Sequence, residues 1–248
     1  MDVADALAAA DETFDAALAE LVALVRIPSI SAAPDHSSDV QASADATAAL
    51  LVEHGLENVR IATVEGSRPN VIGEWMHAGA DRPTVLLYAH HDVQPPGIVE
   101  NWTSAPFDPI ERGGRIYGRG TADDKAGAVA HARAVGAWLR SVGSLPCNVR
   151  VLVEGEEEIG SPTLQAFLVA HLDELWSDVL VLADSGNWDV GVPGLTYSLR
   201  GLAAADIELR ALDGPQHSGM AGGALPDPVM ALARLLASLV DEHGDVAF

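Results

Sequence analysis

A chain of 248 residues, 48% hydrophobic and 20% charged, carries enough apolar material for one sizeable core, or for one domain and part of a second. Its 36 acidic against 14 basic residues leave a formal net charge of -22, a field that repels phosphate backbones and anionic headgroups and argues against nucleic acid or a membrane surface as partner. The single cysteine, Cys147, excludes an intramolecular disulfide and thiolate-rich metal clusters, so a metal here must be held by His, Asp and Glu; it also fits a reducing cytoplasm.

The opening stretch MDVADALAAADETFDAALAE is acidic and amphipathic, without the basic and apolar regions of a signal peptide, and no apolar run approaches ~18 residues. Neither export nor membrane insertion is expected. Leu7, Phe14, Leu18, Leu21, Val22 and Val25 fall at helical spacing and predict one helix over 4–26, stopped by Pro28. NVRIATV (58–64), NVIGEWM (70–76) and TVLLYAH (84–90) read as strands, the third apolar on both faces as a central strand is. Residues 91–114 read as a long irregular loop, of a length that is often functional.

RIYGRG follows as a short strand and turn, and DKAGAVAHARAVGAWLRSVG (124–143) as an Ala-rich helix ending at Gly143. NVRVLVEGEEEIGS is a buried strand ending in acid, PTLQAFLVAHLDELW a helix, and DVLVLADSGN another strand ending in acid. This alternation predicts an α/β three-layer sandwich around a mostly parallel central sheet, with ligands gathering outside the carboxyl ends of the strands. From about Thr196 the texture changes: TYSLRG and LAAADIELRAL read as antiparallel or edge strands and PDPVMALARLLASLVDEHG as a helix, so a second unit is expected over 196–248 after a first over 1–195.

Four elements deliver acid or imidazole at or just past a strand end: His90 with Asp92, Asp123 with Asp124, the run Glu156, Glu157 and Glu158, and Asp184. Singly, each has an ordinary explanation: a hydrogen-bonded core histidine, a helix N-cap, an exposed acidic turn, a turn-forming Asp. Brought to one rim, the carboxylates would repel one another unless cations neutralised them. Carboxylates with one imidazole and no thiolate suit zinc, manganese or cobalt, and two ions bridged by one carboxylate would polarise a carbonyl and make hydroxide from water near neutral pH. The chemistry so implied is hydrolysis.

These motifs, in this order, resemble those of the co-catalytic metallopeptidases, a family that includes carnosinase-like and non-specific dipeptidases, glutamate carboxypeptidase, aminoacylase and succinyl-diaminopimelate desuccinylase. LLYAHHDVQP, YGRGTADDKAG, EGEEEIGS and LADSGN are similar to the family's successive site motifs, and TYSLRG and QHSGMAGG to its dipeptidase branch. The resemblance implies a phosphorylase/hydrolase-like zinc peptidase catalytic domain and the start of an α+β lid that forms a homodimer in the full-length protein. It implies two divalent ions, zinc first with manganese or cobalt as alternatives, held by His90, Asp123, Glu158 and Asp184, with Asp123 bridging and its bond to Asp124 cis. It further implies Asp92 as the residue orienting His90, Glu157 as general base, and His217 as an oxyanion donor reaching into the partner's site.

Three consecutive glutamates permit a slip of one; the resemblance, through the IGS after them, implies the register given above and leaves Glu156 as an extra residue, while His91 is expected to point away as a bystander. Family members in this branch are much longer, so a fragment or truncated product is expected, short of the family's final histidine ligand and weak or inactive by itself. His131, His171 and His243 lie in no matching motif. The expected activity is hydrolysis of dipeptides or short peptides by a metal-bridging hydroxide. The alternatives are an N-acyl-amino-acid deacylase or desuccinylase with the same site, and a non-catalytic acidic interaction protein.

Overall fold

The computed structural model describes residues 3–247, so Met1, Asp2 and Phe248, on which the readings of the chain's two ends partly rest, lie outside the described residues. Two compact units divide the chain, 1–195 and 196–248.

The first unit opens with two helices where the apolar spacing predicts one, α1 (Val3–Glu12) and α2 (Phe14–Val25). The break falls at Thr13, whose hydroxyl donates back to the Ala9 carbonyl at 2.9 Å, a bond that competes with the helix ladder and bends it. Leu24 and Val25 are buried, and Ala17 and Leu21 pack on the core, but Leu7 and Phe14 are exposed. A third helix, α3 (Ser37–Glu53), has no counterpart in the sequence reading. It buries Val40, Ser43, Ala44, Thr47, Leu50 and Leu51, a helical stripe in which two hydroxyl residues interrupt the apolar signal.

Three strands follow, β1 (Glu57–Ala62), β2 (Asn70–Trp75) and β3 (Thr84–His90), close to their predicted bounds. The stretch predicted as irregular contains β4 (Ile110–Arg112), which forms a small hairpin with β5 (Arg115–Tyr117), the short strand expected at RIYGRG. Its two-residue turn, Gly113 and Gly114, has φ of +59° and +74°, the left-handed pair that a tight hairpin needs and glycine supplies without strain. Next comes α4 (Lys125–Val142), capped by Asp124 and terminated by Gly143 in the left-handed region. After β6 (Asn148–Glu154) the predicted single helix is again two, α5 (Leu164–Ala170) and α6 (Leu172–Leu175), before β7 (Val179–Leu182).

The sheet has the order β1-β2-β6-β3-β7. β6, β3 and β7 pair in parallel, β2 runs against β6, and β1 against β2, so only β2 is reversed and the sheet is mixed and mostly parallel. Alternate residues feed two cores. Val71, Trp75, Ala89, Val149, Val151 and Val153 join Leu24, Ala44, Leu51, Ala128 and Val135 of α2, α3 and α4 on one face. Ile72, Leu86, Tyr88 and Leu152 meet Phe167 and Leu175 of α5 and α6 on the other. This is the expected three-layer α/β architecture, with both faces of the central strands covered.

In the second unit the only helices among the described residues are α7 (Ser218–Ala221) and α8 (Pro228–Ala237). Asp227 caps α8 by accepting from the Val229 and Met230 amides, with Pro228 at its first turn. TYSLRG and LAAADIELRAL, predicted as strands, form none: a strand's hydrogen bonds need a partner, and no ladder is formed in 196–217. No helix of the described residues is long and apolar enough to cross a membrane.

Candidate metal centre

Parallel pairing aligns the carboxyl ends of β3 and β6, so His90 stands opposite Glu154. The Ala183 amide donates to Tyr88, which brings Asp184, one residue on, to the same rim. His90 is fully buried. Its Nδ1 lies 3.1 Å from the Asp92 carbonyl oxygen and 3.3 Å from Asp92 Oδ1, while Nε2 lies 2.9 Å from Asp123 Oδ1, 3.7 Å from Glu157 Oε2 and 4.0 Å from Asp184 Oδ2. One ring nitrogen thus meets its orienting group and the other a collar of carboxylates, the arrangement of a ligating imidazole held by an outer carboxylate.

Asp92 does more than the sequence suggests. Its Oδ1 accepts the Glu157 amide at 3.2 Å and its Oδ2 the Glu158 amide at 3.1 Å, so one buried carboxylate orients the histidine and grips the turn that carries both glutamates. Against the opposing penalty of burial, the bond and charge of His90 hold its carboxyl below the usual range. Glu158 is tethered again by Gln94, whose amide N–H donates to Oε1 at 3.2 Å and whose side chain donates to the Glu158 carbonyl at 2.6 Å. Sequence reasoning missed Gln94: a neutral residue two positions past Asp92 gives no signal until the turn folds onto it.

The Asp123–Asp124 bond is cis. Asp123 is largely exposed toward the site, whereas Asp124 is buried, its Oδ1 capping α4 through the Gly127 amide and its Oδ2 accepting the His90 amide at 3.1 Å. Lys125, also buried, donates to the carbonyls of Leu24 and Ile27 at 2.7 Å each and ties this turn to the end of α2. His91 lies on the other side of the strand end, buried, with Nε2 donating to the Pro69 carbonyl at 2.9 Å. Burial pushes its imidazole down to about 4, so it stays neutral. Gly155 admits it: a Cβ there would sit 2.3 Å from the Pro69 oxygen and 2.9 Å from His91 Nε2.

One ligand atom each from His90, Asp123 and Glu158 lie within 4.8 Å of one another, and so do one each from His90, Glu157 and Asp184. The two groups share His90 and do not of themselves separate two ions or distinguish a ligand from a base. His217 belongs to the second unit, where it is exposed and its Nδ1 accepts the Gly219 amide at 3.0 Å as the N-cap of α7.

The donor set fits a divalent cation. Burial first, then Asp184, Glu158 and Asp92, push the Glu157 carboxyl up, only partly offset by His90. Against burial, Asp92, Asp124 and Glu157 raise His90 to about 10. A collar in which Glu157 resists ionising and the imidazole is drawn to protonate is relieved by positive charge at its centre, and the site offers that charge hard oxygen and nitrogen donors.

Fold and site together define an α/β protein with a candidate imidazole–carboxylate cation site at the carboxyl rim of a mixed, mostly parallel sheet. The model of peptidase family M20/M25/M40 matches residues 86–246, and the chain belongs to that family. It is 38% identical over 226 residues to the cysteinylglycine-S-conjugate dipeptidase of Corynebacterium striatum, covering 91% of this chain and 49% of that protein. With the beta-Ala-His dipeptidase of Mus musculus it shares 34% over 180 residues, 72% of this chain and 37% of the relative. The crystal structure of human carnosine dipeptidase 1 superposes with a TM-score of 0.72 at 28% identity, over 96% of this chain and 52% of that one. The chain spans about half, or less, of the length of these relatives.

Proposed function

We propose that the protein to which this chain belongs is a metal-dependent peptidase that hydrolyses dipeptides, with 1–195 as its catalytic unit and 196–248 as the beginning of a lid through which two copies associate. The observation that carries this reading is His90: buried, held at Nδ1 by Asp92, and turned at Nε2 toward Asp123, Glu157 and Asp184. In it His90, Asp123, Glu158 and Asp184 would hold two divalent ions, zinc by preference, with Asp123 serving both. When bound, the ions supply Lewis acidity that polarises the scissile carbonyl and acidifies water.

Glu157 takes the proton of the attacking water and returns it to the leaving amine. Its raised pKa brings a carboxylate toward the range in which both transfers are efficient. Asp92 keeps His90 in the ligating tautomer and keeps Glu157 in reach. His217 donates a hydrogen bond to the carbonyl oxygen across the dimer. Cysteinylglycine-type and β-alanyl-histidine-type dipeptides are the first substrates to try, as the names of the relatives suggest.

The test assays the full-length protein, loaded with zinc, manganese or cobalt, on dipeptides and on acetylated and succinylated amino acids. Cleavage of dipeptides that is abolished by chelation is expected. Preference for the acylated amino acids would replace the reading with a deacylase at the same site, and absence of both activities in metal-loaded protein would refute catalysis here.

A further inference from the structure

The run Glu156, Glu157, Glu158 offers three carboxylates where the site uses two, and the first is spent on the scaffold. Glu156 is 1% exposed. Its Oε2 accepts the Arg68 amide at 3.0 Å, and its Oε1 accepts both the Thr163 amide at 2.8 Å and the Thr163 hydroxyl at 2.5 Å. Its carbonyl accepts the Ile159 and Ser161 amides at 3.3 and 3.1 Å, closing the turn. Arg68 in turn donates through its guanidinium to the Ser31 carbonyl. Among the described residues Glu156 forms no ion pair.

A buried carboxylate without a cation is a poor way to fill space, since an apolar residue of similar volume would avoid its desolvation cost. What an apolar residue cannot do is accept three hydrogen bonds from two separate segments, the loop that enters β2 and the start of α5. The far side of the same turn is gripped by Asp92 through the amides of Glu157 and Glu158. The turn is therefore held between two buried carboxylates, one facing the site and one facing the scaffold.

We propose that Glu156 is a positioning residue that selects the register of the glutamate run. Only one of the three side chains can occupy the buried station between Arg68 and Thr163. Filling it with Glu156 presents Glu157 and Glu158 to the site and denies a one-residue slip, in which Glu157 would be buried and the pair of site carboxylates lost. This rests on the reading of Glu157 and Glu158 as base and ligand, while the holding of the turn is testable without it.

The experiment compares full-length wild type with Glu156→Gln, which keeps an oxygen for Thr163 and loses the acceptor for Arg68, and Glu156→Met, which keeps volume and loses every acceptor. Four quantities are read: thermal midpoint, amide hydrogen exchange in the metal-free protein, zinc affinity by titration, and kcat and KM for a dipeptide. Expected is faster exchange confined to residues 156–161 with β6 amides unchanged, and zinc affinity and kcat lowered about 10–100-fold in Met and less in Gln, with KM little changed. Wild-type exchange and zinc affinity in a folded Gln or Met variant would overturn the proposal. So would losses that follow the thermal midpoint alone, with exchange raised equally throughout the unit. If wild type binds zinc but cleaves no peptide, the peptidase reading fails while exchange and zinc affinity still decide the role of Glu156. If wild type binds no zinc, exchange alone decides it.

Discussion

Two acidic residues of the candidate site act through different atoms, and single substitutions separate them. Glu157→Gln removes a proton acceptor but leaves the turn, whose hold on Asp92 is through the backbone amide. On the proposed mechanism, turnover by the full-length protein is expected to fall by roughly 10²–10⁴-fold with zinc still bound, checked by steady-state kinetics alongside metal analysis. Asp92→Asn puts an NH₂ either at Oδ1, against the Glu157 amide and the His90 Nδ1–H, or at Oδ2, against the Glu158 amide, so at least one hydrogen bond becomes a donor–donor conflict. Its expected signature is the reverse of the first: zinc affinity lowered by about 10–100-fold, read by competition with a chromophoric chelator. Equal zinc affinity in Asp92→Asn and wild type would show that the orienting bond is dispensable. Asp92 as partner of His90 was legible, because residues two apart on an extended chain share a face. Its bonds to Glu157 and Glu158 were not, because they join positions 65 and 66 residues distant.

At the scale of elements, the helix layer carries its own pH dependence. His54 at the end of α3 is buried: Nε2 faces Glu20 of α2 at 3.2 Å and Nδ1 faces Arg140 of α4 at 3.4 Å. Burial first, with Arg133 and Arg140, lowers its pKa below 6.5 despite Glu20. His131 of α4, donating to the Tyr88 carbonyl at 3.0 Å, is lowered in the same direction by burial. As pH falls through 6.5 the unfolded chain takes up these protons before the folded one, so the stability they provide is complete above that pH and drains away below it, at most about 1.4 kcal/mol per pH unit for each. Urea unfolding at pH 7.5 and 5.5 should show a smaller loss in a His54→Gln, His131→Gln variant than in wild type, and parallel losses would exclude these residues as the source. On the opposite face, Phe167 of α5 is wholly buried against β2, β3 and β6, and Phe167→Ala should destabilise the unit by about 3–5 kcal/mol in the same measurement. The strands of the central sheet were readable in advance because apolar runs bounded by turns are local signals. α3 was not, since Ser43 and Thr47 sit in its buried stripe, and neither was the break at Thr13, which rests on a hydroxyl's choice of acceptor.

For the molecule as a whole, a formal charge of -22 and a rim of converging carboxylates predict that divalent cations stabilise the fold. A cation that binds only the folded state contributes about 2.7 kcal/mol at a hundredfold excess over its Kd. Thermal midpoints of the full-length protein should therefore fall on chelation and recover with zinc, and they should recover less in a variant lacking Asp123. An unchanged midpoint across these conditions would argue that the collar holds no ion.

The sequence by itself determined the strands of the central sheet and the rim to which they deliver polar residues, and it offered His90, Asp92, Asp123, Glu157, Glu158 and Asp184 as candidates there, because each stands in a short pattern within one segment; their proposed roles come with the family resemblance. Only the tertiary structure decided that Asp92 clamps the glutamate turn, that Gln94 tethers Glu158 and that Glu156 is buried under Arg68 and Thr163. Those are bonds between segments 64 to 88 residues apart, or across a turn whose path is set by them, and no local pattern encodes which buried donor a carboxylate will meet.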